Sequence, residues 1–93
     1  MATTVKVSIP TALRRHTGDQ SQVDLEGGTV GEVLSQLADT YPELGKRLFK
    51  PDGGLNRFVN VFVNQEDIRF LDDLDTALRE GDGLLLVPAI AGG

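Results

Sequence analysis

The sequence predicts a two-layer α+β domain, a mixed sheet of four to five strands covered on one face by one main helix. Three observations carry this. Apolar residues recur with period two in the outer segments of the chain and with helical spacing only around residues 30–37. The segments follow the order strand, strand, helix, strand, strand, strand, and one amphipathic helix is enough to cover one face of a sheet. The first and last strands are both rich in Val, Ile and Leu, the composition of central strands. Paired side by side they run parallel, with the helix inside a right-handed crossover.

Each element has its own signal. Val5, Val7 and Ile9 alternate with Lys6 and Ser8, a half-buried strand that Pro10 ends. Residues 13–18 read as a polar turn closed by Gly18, and Gln22-Val23-Asp24-Leu25 as the second arm of a hairpin. Val30, Val33, Leu34 and Leu37 then form the apolar stripe of a helix, with Glu32, Ser35, Gln36 and Asp39 opposite. Thr29 and Glu32 have the spacing of a capping box, which makes Thr29 the N-cap. Tyr41 ends the helix, because a residue before proline is pushed out of the α region. Pro42 suits the first turn of a second, short helical piece over residues 43–49. Residues 57–63, β-branched and aromatic, make the strongest strand. Asn64-Gln65-Glu66-Asp67 is a turn, residues 68–70 a short returning strand, and Leu74, Ala77 and Leu78 mark a brief helical or 3₁₀ turn. Residues 84–87 form the last strand. This connectivity is the β-grasp arrangement, with domain 1–87 and a flexible tail, 88–93.

Composition narrows the function classes. Ninety-three residues make one domain, and a net charge of −5 argues against nucleic-acid binding, which usually needs a basic stripe. The only adjacent basic pairs are Arg14-Arg15 and Lys46-Arg47. There are no cysteines, which excludes disulfides, thiolate nucleophiles and Cys-ligated metals. No apolar run reaches the length of a membrane span, and the first residues lack the pattern of a signal peptide. The expectation is a cytoplasmic protein with no membrane partner.

No catalytic set emerges. Gly27-Gly28-Thr29-Val30-Gly31 opens the helix, but it lacks both dinucleotide and P-loop spacing, and a tight turn plus N-cap explains it. His16 is the sole histidine and cannot anchor a usual zinc site. Asp72, Asp73 and Asp75 lack the spacing of a calcium loop. Neither a metal nor a cofactor is expected, and the chain reads as a substrate or partner of enzymes, not an enzyme.

Two features remain. The strand at 57–63 has Val59, Val61 and Val63 on one face and Phe58, Asn60 and Phe62 on the other. Asn60 is costly in a core, so Phe58 and Phe62 are expected on the outer face. With Leu85 and Val87 they would form an exposed apolar patch, which usually marks a contact with a partner. The second feature is the ending Pro88-Ala89-Ile90-Ala91-Gly92-Gly93. Glycine has no Cβ, so a Gly-Gly terminus can thread a narrow channel and present an unhindered carboxylate for activation.

These residues carry a resemblance to the ubiquitin-like sulfur carriers of the ThiS/MoaD superfamily, and within it to the CysO-type carriers of actinobacteria. The resembling blocks are Val7-Ser8-Ile9-Pro10-Thr11 with Leu13-Arg14 and His16-Thr17-Gly18, then residues 57–64, Glu66-Asp67, Arg69-Phe70, and the ending from Val87 to Gly93. The resemblance implies a cycle at Gly93. An E1-like enzyme adenylates the carboxylate, and a sulfur donor converts it to a thiocarboxylate. The sulfur then passes to an acceptor, most simply the aminoacrylate formed from O-phosphoserine on a PLP-dependent cysteine synthase. A JAMM-type zinc metallopeptidase then releases cysteine. The resemblance assigns sulfur to Gly93, threading to Gly92, and reach to Ala91, Ile90 and Pro88. Docking falls to Phe58, Phe62, Leu85 and Val87. The alternatives are the same chemistry for molybdopterin, thiazole or thiosugar synthesis, or a ubiquitin-like modifier joined to lysines.

Overall fold

Alternation of apolar and polar side chains builds β1 (Thr4–Ser8) and β2 (Gln22–Glu26), an antiparallel pair in which Val5 faces Leu25 and Val7 faces Val23. All four are buried. The computed structural model describes residues 3–56 and 59–88. The chain returns to β1 only at its far end, where β5 (Gly83–Pro88) pairs parallel to it with Val7 opposite Leu84. The β3 strand (Val59–Val63) runs antiparallel to β5, and the two-residue β4 (Glu66–Asp67) completes a five-stranded sheet of order β2-β1-β5-β3-β4. The first and last strands are thus neighbours and parallel, as the sequence predicts.

One face of this sheet packs against α1 (Val30–Thr40) and α2 (Pro42–Leu48). Val30, Val33, Leu34 and Leu37 of α1 join Leu44 and Leu48 of α2 in the core, together with Val61 (1% exposed) and Leu86 (0%). Thr29 caps α1 by the expected box: its hydroxyl accepts from the Glu32 N–H at 3.2 Å, and Glu32 Oε1 accepts from the Thr29 N–H at 3.1 Å. Pro42 occupies the start of α2, where its missing N–H costs no hydrogen bond. The two helices touch where Gly45 meets Ala38. A Cβ at position 45 would lie 2.6 Å from that of Ala38, so close approach requires glycine there.

Three expectations change. The polar turn at 13–18 belongs to a 3₁₀ helix, Thr11–His16, which buries Leu13. Residues 68–70 do not form a strand: β4 ends at Asp67, whose carboxylate accepts from the Arg69 N–H at 2.9 Å and caps a 3₁₀ turn, Ile68–Phe70. That turn keeps Ile68 in the core and leaves Phe70 exposed. Pro88, assigned to the tail by the sequence, is the last residue of β5, opposite Val59. A proline fits a strand's end because it need donate nothing there. The turn near Leu74 is Asp73–Asp75, and Ala77 beyond it bridges to Thr29. No helix among the described residues is long and apolar enough to cross a membrane.

Candidate functional site

The outer face of the sheet is divided by chemistry. On β1 and β2 it presents Lys6 and Ser8, then Gln22, Asp24 and Glu26. On β3 and β5 it presents Asn60, Phe62, Leu85 and Val87, because period two sends Val59, Val61, Val63, Leu84 and Leu86 into the core. Register joins the apolar members: Phe62 lies opposite Leu85, and Asn60 opposite Val87. Leu85 is 43% exposed, while Phe62, Val87 and Asn60 are half-buried. Of the four residues expected in a docking patch, three therefore share one face. Phe58 lies outside the described residues, as do Ile90, Ala91, Gly92 and Gly93.

A polar clamp fixes this half of the sheet. β3 and β4 are joined by a two-residue turn, Asn64-Gln65, with φ of 48° and 78°. Two successive left-handed residues match the twist of a hairpin. Asn64 also reaches across to the start of β5: its Oδ1 accepts from the Gly83 N–H at 3.0 Å, and its Nδ2 donates to Asp82 Oδ1 at 2.9 Å. Leu85 and Phe62 are thereby held in register from a point two residues away. Sequence reading identified Asn64 as turn chemistry and missed its second task, which depends on the β3–β5 pairing.

Beyond β4, Arg69 grips Asp67, with Nη2 2.7 Å from Oδ2 and Nε 3.1 Å from the same oxygen. The side-chain hydrogen bond from Arg69, then its backbone N–H, holds the Asp67 carboxyl below the ordinary aspartate range. Next to it stand Phe70, 83% exposed, and the exposed Leu71. Sequence reading missed this exposed phenylalanine, because 68–70 reads as a strand until the Asp67 cap is seen.

The other sequence candidates find structural employment. Glu32 Oε1 accepts from the Gly28 N–H at 2.7 Å as well as from Thr29, so the N-terminus of α1 is filled by its own carboxylate. An external phosphate would have to displace it. His16 Nε2 accepts from Arg47 Nε at 2.9 Å. No group of His, Asp or Glu among the described residues could hold a metal ion, the Asp72–Asp75 turn included.

Comparison with known proteins extends over the whole domain. The ThiS family model matches residues 7–93. The chain is similar to the sulfur carrier protein CysO of Mycobacterium tuberculosis, with 50% identity over 91 residues covering 96% of this chain and 98% of the relative. Among solved structures, it resembles the Amycolatopsis orientalis BexX/CysO complex at 44% identity and a TM-score of 0.87, covering 96% of this chain and 99% of the matched one. It also resembles the small archaeal modifier protein 1 of Methanosarcina acetivorans, at 30% identity and a TM-score of 0.91, covering 100% and 99%.

Proposed function

The chain belongs to the ThiS family, and from that membership we propose that it is a sulfur carrier loaded at the carboxylate of Gly93. The observation that carries the reading is the 50% identity to CysO over nearly the whole chain, joined to a family match that runs through residue 93.

The chemistry follows from what a carboxylate lacks. It is a poor electrophile, so an E1-like enzyme lets a Gly93 oxygen attack the α-phosphorus of ATP, releasing pyrophosphate and leaving an acyl-adenylate. Sulfide then adds to the carbonyl carbon, AMP departs, and an anionic thiocarboxylate remains. Its soft sulfur can be delivered although the carrier has no thiol of its own. The acceptor we favour is the aminoacrylate derived from O-phosphoserine on a PLP-dependent cysteine synthase. The sulfur forms a C–S bond to its β-carbon, and an S-to-N acyl shift leaves cysteine amide-linked to Gly93. Hydrolysis by a JAMM-type zinc metallopeptidase releases it. The protein's own share is presentation: Gly92 and Gly93 carry no Cβ, and Ile90 and Ala91 set the reach beyond Pro88, where β5 ends. Phe62, Leu85 and Val87, with Phe58, are the docking surface for the adenylating enzyme. This traffic belongs in the cytoplasm, and the chain is a carrier, not a catalyst.

Intact mass spectrometry tests the reading, after incubation with ATP, the cognate E1-like enzyme and sulfide. The expected result is replacement of one oxygen by one sulfur at Gly93. Gly93→Ala should slow adenylation with the fold unchanged. No modification, by an enzyme active on another carrier, would overturn the proposal. The likeness to an archaeal modifier protein supports a second reading, conjugation to lysines. Isopeptide-linked Gly-Gly remnants on cellular proteins, without thiocarboxylate, would move the assignment there.

A further inference from the structure

The fold brings together the two adjacent basic pairs of the sequence. Arg14-Arg15 lies in the last turn of the 3₁₀ helix after β1, Lys46-Arg47 in the last turn of α2, and Arg47 Nε donates to His16 Nε2 at 2.9 Å. Lys46 pairs with Glu43 at 3.3 Å, and the remaining ion pairs among the described residues are Lys50–Asp52 and Arg69–Asp67. Arg14, Arg15 and Arg47 therefore have no carboxylate partner among the described residues, in a chain with 14 acidic and 9 basic residues. Arg14 spends its Nε on the Ile9 carbonyl at 3.0 Å, which fixes its position without cancelling its charge. Asp19 is the nearest acidic residue along the chain, and it meets Arg14 through a backbone bond, from its N–H to the Arg14 carbonyl.

The location matters as much as the charge. β1 and β5 are parallel, with Ser8 opposite Leu85. The chain therefore leaves β1 for the basic corner at the same end of the sheet where β5 finishes at Pro88. The basic corner and the end of β5 thus lie at one end of the sheet. Guanidinium groups suit carboxylates, which they can bind through two parallel hydrogen bonds. We infer that the corner formed by Arg14, Arg15 and Arg47 docks an acidic segment of the adenylating enzyme and steers its encounter with the carrier. The inference rests on the carrier reading for the identity of the enzyme, and on geometry for the surface.

The test is the association rate of the full chain with its adenylating enzyme, at low and at several-fold higher salt, with thiocarboxylate formation followed in parallel. Arg15→Glu/Arg47→Glu should slow association about tenfold or more at low salt, within the range of electrostatic steering, and the gap should shrink as salt rises. Thiocarboxylation at saturating carrier should be unchanged. Arg47→Glu also removes the bond to His16, so Arg15→Glu alone, which breaks no side-chain hydrogen bond, is the second variant. A folded single variant should still slow association several-fold. Equal rates at low salt for folded variants would overturn the inference. So would ATP binding to the free chain and losing affinity in Arg15→Glu, which would assign the corner to phosphate. Salt-sensitive association of a wild-type chain that is never thiocarboxylated would support the corner and sink the carrier reading.

Discussion

The two faces of β3 and β5 are built from the same kinds of residue and are buried to different degrees. Inward, Val59, Val61, Val63, Leu84 and Leu86 are buried under two helices. Outward, Phe62, Leu85 and Val87 are just as apolar, yet none of the described elements covers them fully. Burial on the inner face is complete before any partner arrives, so its free energy is spent on folding. On the outer face the same transfer from water, about 25 cal/mol per Å², is still available for association. An apolar surface can thus serve stability or recognition, and the position of the helices decides which.

Four experiments test that contrast. The largest effect belongs inside: Leu86→Ala should destabilise the fold by about 2–5 kcal/mol, the usual cost of a cavity in a packed core. A denaturant midpoint near that of the wild type would mean that the inner face is not the structural one. Gly45→Ala comes next. Alanine usually favours a helix, but here its Cβ would press on Ala38 at 2.6 Å. A loss of about 1–3 kcal/mol is expected from overpacking; a gain in melting temperature would show that the helices can part freely. Leu85→Arg should leave stability within about 0.5 kcal/mol, as surface changes do. It should weaken binding of the adenylating enzyme about tenfold, the loss typical of a contact that matters. A collapsed fold would place Leu85 on the wrong face of the account.

The smallest effect concerns charge. Arg69 depresses the folded-state pKa of Asp67, so the stabilisation is present above the unfolded aspartate pKa and is lost as pH falls through the lower folded value. Arg69→Gln should return the Asp67 titration, followed by NMR, towards the ordinary aspartate range. An unmoved titration would remove Arg69 as the cause.

Much of this was legible in the residues. The Thr29–Glu32 box, the helical stripe from Val30 to Leu37 and the alternation in β1, β2 and β3 depend on neighbours within a few positions, where spacing encodes geometry. Asn60 even oriented the third strand, since a polar residue opposite valines leaves one sensible face. Local pattern failed where a side chain overrode it. Asp67 caps a 3₁₀ turn and ends the strand that the alternation of Ile68-Arg69-Phe70 would otherwise continue.

Neighbouring residues alone dictate the strand and helix segments, the capped start of α1, the outward face of the third strand and the Gly-Gly ending. Only the tertiary structure decided the register of Phe62 against Leu85, the Asn64 clamp on Gly83, the contact of Gly45 with Ala38, and the meeting of Arg47 with His16. Each of these joins residues that are distant in sequence or lie on different elements. Such contacts arise from how elements pack, and no local period records which distant partner a side chain will find.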